Sequence, residues 1–591
     1  MKTQIQRRLL PDNQRLVKGV PDFLARIYAA RGVVEESDLS LGLQDLLDTR
    51  QLKGVDRAVQ LLVWAIYNRK KIIIVGDFDC DGATSTALAI HALSAMGAHD
   101  CQYLVPNRFE FGYGLTPEIV DLAATKFPDL IVTVDNGIAS MDGVAHAKSL
   151  GIKVLVTDHH LPGDELPVAD AIVNPNQPGC EFLSKNAAGV GVIFYVLSSL
   201  RSALRNEKWF EKQQIAEPNM GNYLDLVALG TIADLVPLDR NNRILVEQGL
   251  KRIRAGRCRP GIRAILSLSQ RSLVQVRASD MGFVVGPRLN AAGRLDDMSL
   301  GIECLLAEEE SYARGLAARL DELNQERKNI EHDMKLDAEF QLKDMHIYQQ
   351  STDESEGLND DADMAWGICL FEAHWHQGVI GILASRIKEK LHRPVIIFAP
   401  ANDDSDTENA MLKGSARSIQ GFHMRDALDL LAKRHPELLS KFGGHAMAAG
   451  MSIRKQDFEA FSSAFELVVR EILTKSDLQA ILYSDGELRS NELSLGNIAS
   501  LELAGPWGQQ FPEPSFDGVF TVVQSRILKD KHLKLVLSPQ GETQIFDAIE
   551  FNSDWVSKPL PEKIRVLYRP NINEFRGKRN VQLLIDHLEL I

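Results

Sequence analysis

Short apolar runs of strand length alternate with helical stretches between about residues 55 and 160. The predicted strands are 71–76 (KIIIVG), 130–134 (LIVTV) and 154–157 (VLVT), and the predicted helices are 82–96 and 141–149. An apolar run without alternation is typical of a strand that is buried on both faces. Strands that alternate with helices predict a parallel sheet with helices packed against it, which is an α/β fold.

The first of these strands leads directly into Asp77-Phe78-Asp79-Cys80-Asp81-Gly82. In extended backbone, the alternate spacing of the three aspartates would put them on one face of the chain. Several carboxylates buried side by side are costly unless a cation neutralises them. The segment therefore predicts a cation site at the end of the strand.

Further acidic residues follow the other apolar runs. Asp135 comes after the strand 130–134, Asp158-His159-His160 after the strand 154–157, and Asp234 after the apolar run that ends in Gly-Thr-Ile-Ala. A single aspartate in such a place is often a turn or helix-cap residue, and a single histidine is often structural. In combination at the carboxyl ends of parallel strands, they favour a shared site.

Carboxylates with an imidazole suit Mg²⁺ or Mn²⁺ better than structural zinc. About six ligands are enough for two ions roughly 3.5–4 Å apart, a pair that supports phosphoryl displacement by water. We therefore expect Mg²⁺ or Mn²⁺ as the cofactor, and two ions.

The order DFDCDG, VDNG, DHH and GTIADLVPL resembles the DHH phosphoesterase superfamily. The resemblance implies metal ligation by Asp79, Asp81, Asp135, His159 and Asp234, with Asp77 as a further ligand or a residue behind the ligands. It also implies that Asp158 orients a histidine and that His160 contacts the scissile phosphate, so both are candidate catalytic residues.

Residues 286–295 (GPRLNAAGRL) resemble a motif of the exonucleases for single-stranded DNA in this superfamily. The resemblance implies that Arg288, Asn290 and Arg294 bind a phosphate, and arginine matches phosphate with two parallel hydrogen bonds. Residues 240–294 also carry twelve lysines or arginines and two acidic residues, in a chain of net charge −14. We interpret this stretch as a candidate contact for a nucleic-acid backbone, although a solvated basic helix face would look the same.

A second α/β pattern over about 364–470 resembles the DHHA1 domain that accompanies DHH domains, through 375–381, 414–418 and 442–450. The resemblance implies substrate binding by Ser415, Arg417, Gly443, Gly444 and His445. Glycines let backbone N–H groups approach an anion, although tight packing alone can also require them.

The last part of the chain changes to short strands, predicted at 519–527, 532–537, 564–568 and 581–585. This pattern predicts a small β-barrel, and the basic segment 526–534 resembles a hairpin of an OB-fold that binds single strands. One or two long helices are predicted over 308–345, and 351–363 and 402–408 are acidic loops.

The expected architecture is thus a DHH parallel-sheet domain joined by a long helix to a DHHA1 α/β domain, with a C-terminal OB-fold β-barrel. The expected boundaries are 1–50 for a lead-in, 51–305 for the DHH catalytic domain, 306–350 for the connecting helix, 351–472 for the DHHA1 domain and 473–591 for the OB-fold domain.

Six scattered cysteines without a C-x-x-C pair fit a reducing compartment. The chain has no apolar leader and no run of about 18 apolar residues, so a cytoplasmic location without membrane contact is expected.

We expect a metal-dependent 5′→3′ exonuclease that degrades single-stranded DNA to 5′-mononucleotides in DNA repair and recombination, with the polarity implied by the resemblance alone. A DHH-type pyrophosphatase or small-nucleotide phosphodiesterase is the first alternative, and a non-catalytic DNA-binding scaffold is the second. The resemblance implies single-stranded DNA, a single-strand DNA-binding protein and a helicase as partners. We expect a monomer, because a DNA channel between two domains of one chain needs no dimer.

Overall fold

The structure, a computed structural model, describes residues 3–10, 17–107, 112, 114–344, 365–401, 410–439, 441–556 and 558–591. The acidic segments 351–363 and 402–408 lie outside the described residues. The chain divides into two compact units, a larger one of Ile5–Leu323 with Tyr483–Ile591 and a smaller one of Met1–Gln4 with Asn324–Leu482.

The larger unit is built around a parallel sheet. The elements before the sheet are β1 (Gln4–Arg7), α1 (Asp22–Ala29) and α2 (Val55–Tyr67). The sheet strands are β2 (Lys71–Gly76), β3 (Asp100–Leu104), β4 (Leu130–Val134), β5 (Lys153–Thr157) and β6 (Ala171–Val173), interspersed with α3 (Cys80–Ala95), α4 (Pro117–Ala124) and α5 (Met141–Ser149). All pairings are parallel and the order is β3-β2-β4-β5-β6.

Both faces of this sheet are buried, which explains the uninterrupted apolar runs. Ile72 and Ile74 of β2 face a core that includes α2 and α3, whereas Ile73 and Val75 face a core with α4 and α5. The chain leaves β2 to one side for β3 and returns on the other side for β4. This reversal creates a crevice at the carboxyl ends of β2 and β4, which is where open α/β sheets bind ligands.

A series of helices follows the sheet. They are α6 (Gly189–Asn206), α7 (Trp209–Gln213), α8 (Leu224–Ala233), α9 (Arg240–Arg254), α10 (Pro260–Leu268), α11 (Ala278–Asp280), a π-helix (Met281–Val285), α12 (Gly286–Leu295), α13 (Ser299–Leu306) and α14 (Glu310–Asp344). The helix predicted over 308–345 is the single helix α14, which has 35 residues and is about 52 Å long at 1.5 Å per residue. The division between the two units falls within it.

The smaller unit contains a mixed sheet. Its elements are β7 (Ile368–Phe371), α15 (Ile380–Leu391), β8 (Val395–Pro400), β9 (Met411–Arg417), α16 (Met424–Arg434), β10 (Lys441–Gly444), β11 (Ala448–Arg454) and α17 (Phe458–Ile472). The division between the units falls within β12 (Ile481–Ser484). The order is β10-β11-β9-β8-β7. Among the described strands of this sheet, β7 and β8 pair in parallel and the other pairs are antiparallel. Phe398, Phe461 and Phe465 form the centre of its core.

The remaining elements belong to the larger unit. They are α18 (Leu495–Leu503), β13 (Phe516–Leu528), β14 (His532–Pro539), β15 (Phe546–Glu550), β16 (Lys563–Phe575) and β17 (Lys578–Leu590). The five strands form a closed barrel in the order β13-β14-β15-β17-β16. Short 3₁₀ helices lie at Glu36–Leu39, Leu43–Asp45, Thr49–Gln51, Met220–Tyr223, Leu273–Gln275 and Lys455–Asp457.

The predicted fold class is confirmed: a parallel α/β sheet, a second α/β body, a long helix and a C-terminal barrel are all present. Within the described part of the chain, we find no helix that combines the length and the apolar character needed to cross a bilayer.

Candidate metal centre

The segment after β2 turns sharply into α3. Asp77 follows the strand, and Asp79 caps the helix: its Oδ1 accepts hydrogen bonds from the backbone N–H groups of Asp81 at 2.9 Å and Gly82 at 3.1 Å. A Cβ on Gly82 would lie 2.5 Å from the carbonyl oxygen of Asp77, so the turn requires glycine there. The predicted extended arrangement is therefore wrong beyond Asp79, because the helix begins at Cys80. The turn, and not strand alternation, brings the three carboxylates together.

The other acidic residues reach the same crevice from three elements. Asp135 follows β4 in left-handed backbone, with φ 61°, and Asp158 follows β5. Asp234 does not follow a strand, because the apolar run before it forms helix α8 and Asp234 is its C-cap. The crevice is thus lined by two strand ends, a strand-to-helix turn and the end of a helix.

Seven of the predicted residues form three overlapping groups that could hold a metal ion. The groups are Asp77, Asp79 and Asp135; Asp81, His159 and Asp234; and Asp135, His159 and His160. In each group the potential ligand atoms lie within 4.8 Å of one another. His159 Nε2 is 3.1 Å from Asp135 Oδ1 and 3.5 Å from Asp234 Oδ2.

The electrostatics of the cluster fit a cation. Burial, and then the charges of Asp81 and Asp79, raise the pKa values of Asp135 and Asp234 well above the ordinary range. Burial and the charge of Asp79 raise the pKa of Asp81 to about 7. Among the described residues, the buried Oδ2 of Asp234 has no hydrogen-bond partner. A divalent cation would offset the cost of burying these negative charges side by side and would lower the pKa values again. Carboxylates with one imidazole are ligands that Mg²⁺ and Mn²⁺ accept.

Asp158 and His160 form a pair beside the cluster. Asp158 Oδ1 lies 2.8 Å from His160 Nδ1 and accepts the backbone N–H of His159 at 2.7 Å, and Oδ2 accepts the N–H of Ile138 at 2.9 Å. Burial alone would raise the pKa of Asp158, but the bond with His160 outweighs it and the pKa is lowered. Burial likewise opposes a charge on His160, but Asp158 and then Asp77 and Asp79 raise its pKa. Asp158 therefore fixes the orientation of the His160 ring.

Two contributors to the site were not among the predicted site residues, although Asn136 belongs to the VDNG motif. The backbone N–H groups of Gly189 and Val190, in the first turn of α6, donate to Asp81 at 2.6 and 3.0 Å. The buried side chain of Asn136 donates to the carbonyl groups of Val75 and Val134 and so joins the ends of β2 and β4. A helix N-terminus is a favourable partner for a carboxylate, so α6 holds Asp81 in place.

Helix α12 packs against the turn that carries the aspartates. Asn290 Oδ1 accepts the backbone N–H of Cys80 at 2.7 Å, and a Cβ on Gly293 would lie 2.0 Å from the carbonyl oxygen of Phe78. Arg294 follows Asn290 by one helical turn and so shares its face of α12. Arg288 lies elsewhere: its Nε donates to Asp321 at 2.8 Å.

Most of the arginines and lysines between residues 240 and 294 form ion pairs within the larger unit. The ion pairs are Arg240–Asp45, Lys251–Glu247, Arg254–Glu247, Arg259–Asp225, Arg263–Glu310, Arg271–Asp280, Arg277–Glu502 and Arg288–Asp321. Arg243 is buried and lies over the ring of Phe511 at 4.3 Å. The stretch is therefore not a continuous surface of unpaired cations.

The predicted binding residues of the smaller unit also come together. Arg417 donates from Nε to Ser385 Oγ at 3.2 Å and from Nη1 to Ser415 Oγ at 3.1 Å. Burial lowers the pKa of Arg417, and among the described residues it makes no ion pair. A Cβ on Gly381 would lie 2.9 Å from Arg417 Nη2, so the backbone comes close to the guanidinium.

The glycine-rich strand β10 belongs to the same region of that sheet. Gly443 pairs with Gly450, which pairs in turn with Ser415. Gly444 has φ 144°, and a Cβ there would lie 2.5 Å from the carbonyl oxygen of Ala448. The N–H of His445 donates to the same carbonyl at 2.8 Å and closes the turn between β10 and β11. Gly444 is thus needed for the turn itself.

Three family models match the chain: the DHH family, N-terminal domain, over residues 71–231; the DHHA1 domain over 365–471; and the RecJ OB domain over 484–587. The fold and the site therefore define a protein of the DHH class with an added OB domain.

Curated relatives and solved structures narrow this class. The chain is 52% identical to the single-stranded-DNA-specific exonuclease RecJ of Dickeya dadantii over 99% of both chains, and 50% identical to that of Escherichia coli K12 over the whole of both. The structure of RecJ from Thermus thermophilus in complex with Mn²⁺ is similar with a TM-score of 0.75 at 27% identity, covering 96% of this chain and 76% of that one. The Mg²⁺ complex of the same protein gives a TM-score of 0.70. The chain belongs to the RecJ family of single-stranded-DNA-specific exonucleases.

Proposed function

We propose that this chain is a metal-dependent exonuclease that degrades single-stranded DNA in the 5′→3′ direction and releases 5′-mononucleotides. The observation that carries the proposal is the cluster of carboxylates and His159 at the crevice of the sheet, in a chain of the RecJ family. The 5′ polarity rests on family membership alone.

The proposed ligands of two Mg²⁺ or Mn²⁺ ions are Asp77, Asp79, Asp81, Asp135, His159 and Asp234. Such ions, when bound, supply hydroxide at neutral pH and offset charge on the reacting phosphate. The related Thermus protein binds Mn²⁺ in one structure and Mg²⁺ in another.

Among the chain's own groups, we assign His160 to the scissile phosphate and Asp158 to the orientation of His160. The 2.8 Å contact with Asp158 Oδ1 supports a proton on Nδ1, and a protonated imidazole stabilises negative charge on a phosphate oxygen. Arg294 is assigned to the substrate phosphates because it shares a face of α12 with Asn290. Arg288 and Asn290 remain proposed phosphate contacts. Arg288 also pairs with Asp321, and the side-chain oxygen of Asn290 accepts the backbone N–H of Cys80.

In the smaller unit we propose an anion-binding surface formed by Ser415, Arg417, Gly443, Gly444 and His445. Arg417 is partly buried, donates to the hydroxyl groups of Ser385 and Ser415 and has no carboxylate partner among the described residues. This supports a phosphate ligand, since a guanidinium binds phosphate with two parallel hydrogen bonds.

We also propose the domain boundaries 51–305, 306–350, 351–472 and 473–591 after a lead-in of 1–50. The matched ranges 71–231, 365–471 and 484–587 fall inside them and support them. A monomeric state, a cytoplasmic location, a role in DNA repair and recombination, and a single-strand DNA-binding protein and a helicase as partners belong to the same proposal and rest on the family.

The test is hydrolysis of an oligonucleotide labelled at its 3′ end, single-stranded and duplexed, with Mg²⁺, with Mn²⁺ and with EDTA. We expect stepwise shortening of the single strand only, and only with a metal ion. An intact oligonucleotide together with phosphate released from pyrophosphate would contradict the proposal and favour a pyrophosphatase. The closed barrel and the matched OB domain make a polymeric substrate the better choice.

A further inference from the structure

Two large apolar side chains are exposed on segments that adjoin the end of α8, where Asp234 lies. Leu235 follows the proposed ligand Asp234 directly, has φ 58° and is 68% exposed. Phe283 lies in the middle of the π-helix Met281–Val285 and is 81% exposed. Left-handed backbone is costly for leucine, and π-helices occur often at functional sites. Neither side chain contributes to the core on which these segments pack.

The π-helix lies directly on the end of α8. A Cβ on Gly282 would be 3.3 Å from Ile232 Cγ2, and a Cβ on Gly286 would be 3.2 Å from Ala233 Cβ. Because Ala233 precedes Asp234, this packing places the turn of Phe283 against the helix end that forms one wall of the cluster. Met281, Val284 and Val285 of the π-helix are buried and anchor it. Phe283 is the one residue of these five whose side chain is exposed.

We propose that Phe283 stacks on a nucleobase of the bound single strand, next to the phosphodiester held at the cluster. The inference rests on the proposed function. A DNA strand offers charged phosphates, polar sugars and apolar base faces, and only the base faces match an exposed phenyl ring. In a duplex those faces are already stacked between neighbouring bases, so the contact favours an unpaired strand.

The test compares two oligonucleotides labelled at the 3′ end. One has ordinary nucleotides, and the other has consecutive abasic positions at its 5′ end. We expect Phe283→Ala to lower kcat/KM on the ordinary strand by about 10-fold, the order of a lost base–aromatic stack. On the abasic strand, where no base can stack, the variant and the unaltered chain should react equally fast. Phe283→Trp should retain the rate on the ordinary strand.

Phe127 provides the matched control. It is 86% exposed and precedes β4, so it lies at the amino ends of the strands, away from the cluster. Phe127→Ala should behave as the unaltered chain on both strands. Thermal unfolding of both alanine variants checks that the fold is kept.

Two results would overturn the stacking contact: an undiminished rate of Phe283→Ala on the ordinary strand, or an equal loss on both strands. In either case the unaltered chain would still degrade the ordinary strand, and the proposed function would stand. An unaltered chain that leaves every oligonucleotide intact would remove the proposed function and the stacking contact together.

Discussion

Asp81 and Asp158 are both buried carboxylates, yet their neighbours shift their pKa values in opposite directions. Burial and the charge of Asp79 raise the pKa of Asp81 to about 7. Asp158 instead faces His160 and backbone N–H groups, which hold its pKa below the ordinary range despite its burial. The two backbone N–H groups that donate to Asp81 do not offset its burial and the charge of Asp79, so a cation is needed for its charge to be stable. For Asp158, the bond with His160 already outweighs the burial. This difference supports ligation for Asp81 and orientation of His160 for Asp158.

His159 belongs to two of the three candidate ligand groups, so its removal should have a large effect. We expect His159→Ala to reduce turnover of single-stranded DNA by at least about 100-fold. Even a change in a residue that only hydrogen-bonds to a metal ligand typically lowers metal affinity or activity by about 10- to 100-fold. Hydrolysis assays and calorimetric titration with Mn²⁺ check the loss of activity and of metal binding.

Asp142→Ala is the control for this variant, because Asp142 is an exposed acid in the first turn of α5. It should leave both measurements unchanged. Full activity of His159→Ala would remove His159 from the proposed ligands.

At the scale of single residues, the acids and histidines at strand ends were predictable because strand ends meet in a parallel sheet. The partners of Asp81 were not, because the N–H group of Gly189 lies 108 residues further along the chain. The contact between Asn290 and Cys80 spans 210 residues. Such contacts depend on how helices pack and leave no trace in the local pattern.

Among the secondary-structure elements, α12 packs closely against the turn after β2. We expect Gly293→Ala to displace α12 and its partner turn, because a Cβ would lie 2.0 Å from the backbone oxygen of Phe78. Overpacking of this kind costs about 1–3 kcal/mol, and exonuclease turnover should fall as the aspartates shift. Urea unfolding and hydrolysis assays measure the two effects.

Gly315 in α14 is the matched glycine, because a Cβ there would meet nothing within 4 Å. Gly315→Ala should keep activity and gain up to about 1 kcal/mol of stability from helix propensity. Equal behaviour of the two variants would show that α12 does not constrain the turn.

The elements with uninterrupted apolar patterns were the predictable ones. Strands β2 and β4 have the predicted bounds, because each is buried on both faces. Strand β15 was not predicted, since Phe546–Glu550 is short and follows a polar loop. Strands β16 and β17 are longer than predicted. Their extra residues pair with each other at positions such as Asn573 and Asn580, where no apolar alternation marks a strand.

Across the larger unit, Asp517 joins the first and last parts of the chain. Its carboxylate accepts hydrogen bonds from Arg7 at 2.9 Å, from Arg565 at 2.9 Å and from Ser484 at 2.6 Å. Burial alone would raise the pKa of Asp517, but these bonds outweigh it and the pKa is lowered. A lowered pKa in the folded state stabilises the protein above the unfolded pKa, about 3.9, and the stabilisation is lost as the pH falls below it.

We therefore expect Asp517→Asn to reduce the free energy of unfolding by about 1–3 kcal/mol at pH 7. The difference from the unaltered chain should shrink as the pH falls below about 4. Urea unfolding of both proteins at pH 7 and at a pH below about 4 measures this difference. Asp586→Asn, which affects an exposed pair with Arg569, should cost less than about 1 kcal/mol. A constant difference at all pH values would contradict this account of Asp517.

The net charge of −14 means that the whole molecule repels DNA at long range, so binding must depend on local cations. We expect the affinity of the chain for a fluorescent single strand, measured by anisotropy in EDTA, to fall at least about 10-fold between roughly 50 and 200 mM salt, as three phosphate contacts at a slope of about 0.7 each would give. A flat salt response would show that phosphate contacts contribute little.

The proposed ligands extend along the chain from Asp77 to Asp234. Asp234 caps the carboxyl end of α8, and α8 packs on α3 and α6. During synthesis from the amino end, the nascent chain therefore lacks one wall of the centre until α8 has been made and has folded onto α3 and α6. Fragments that end before α8 would be unable to complete the centre. The order of the segments thus makes the centre depend on every segment from β2 to the end of α8.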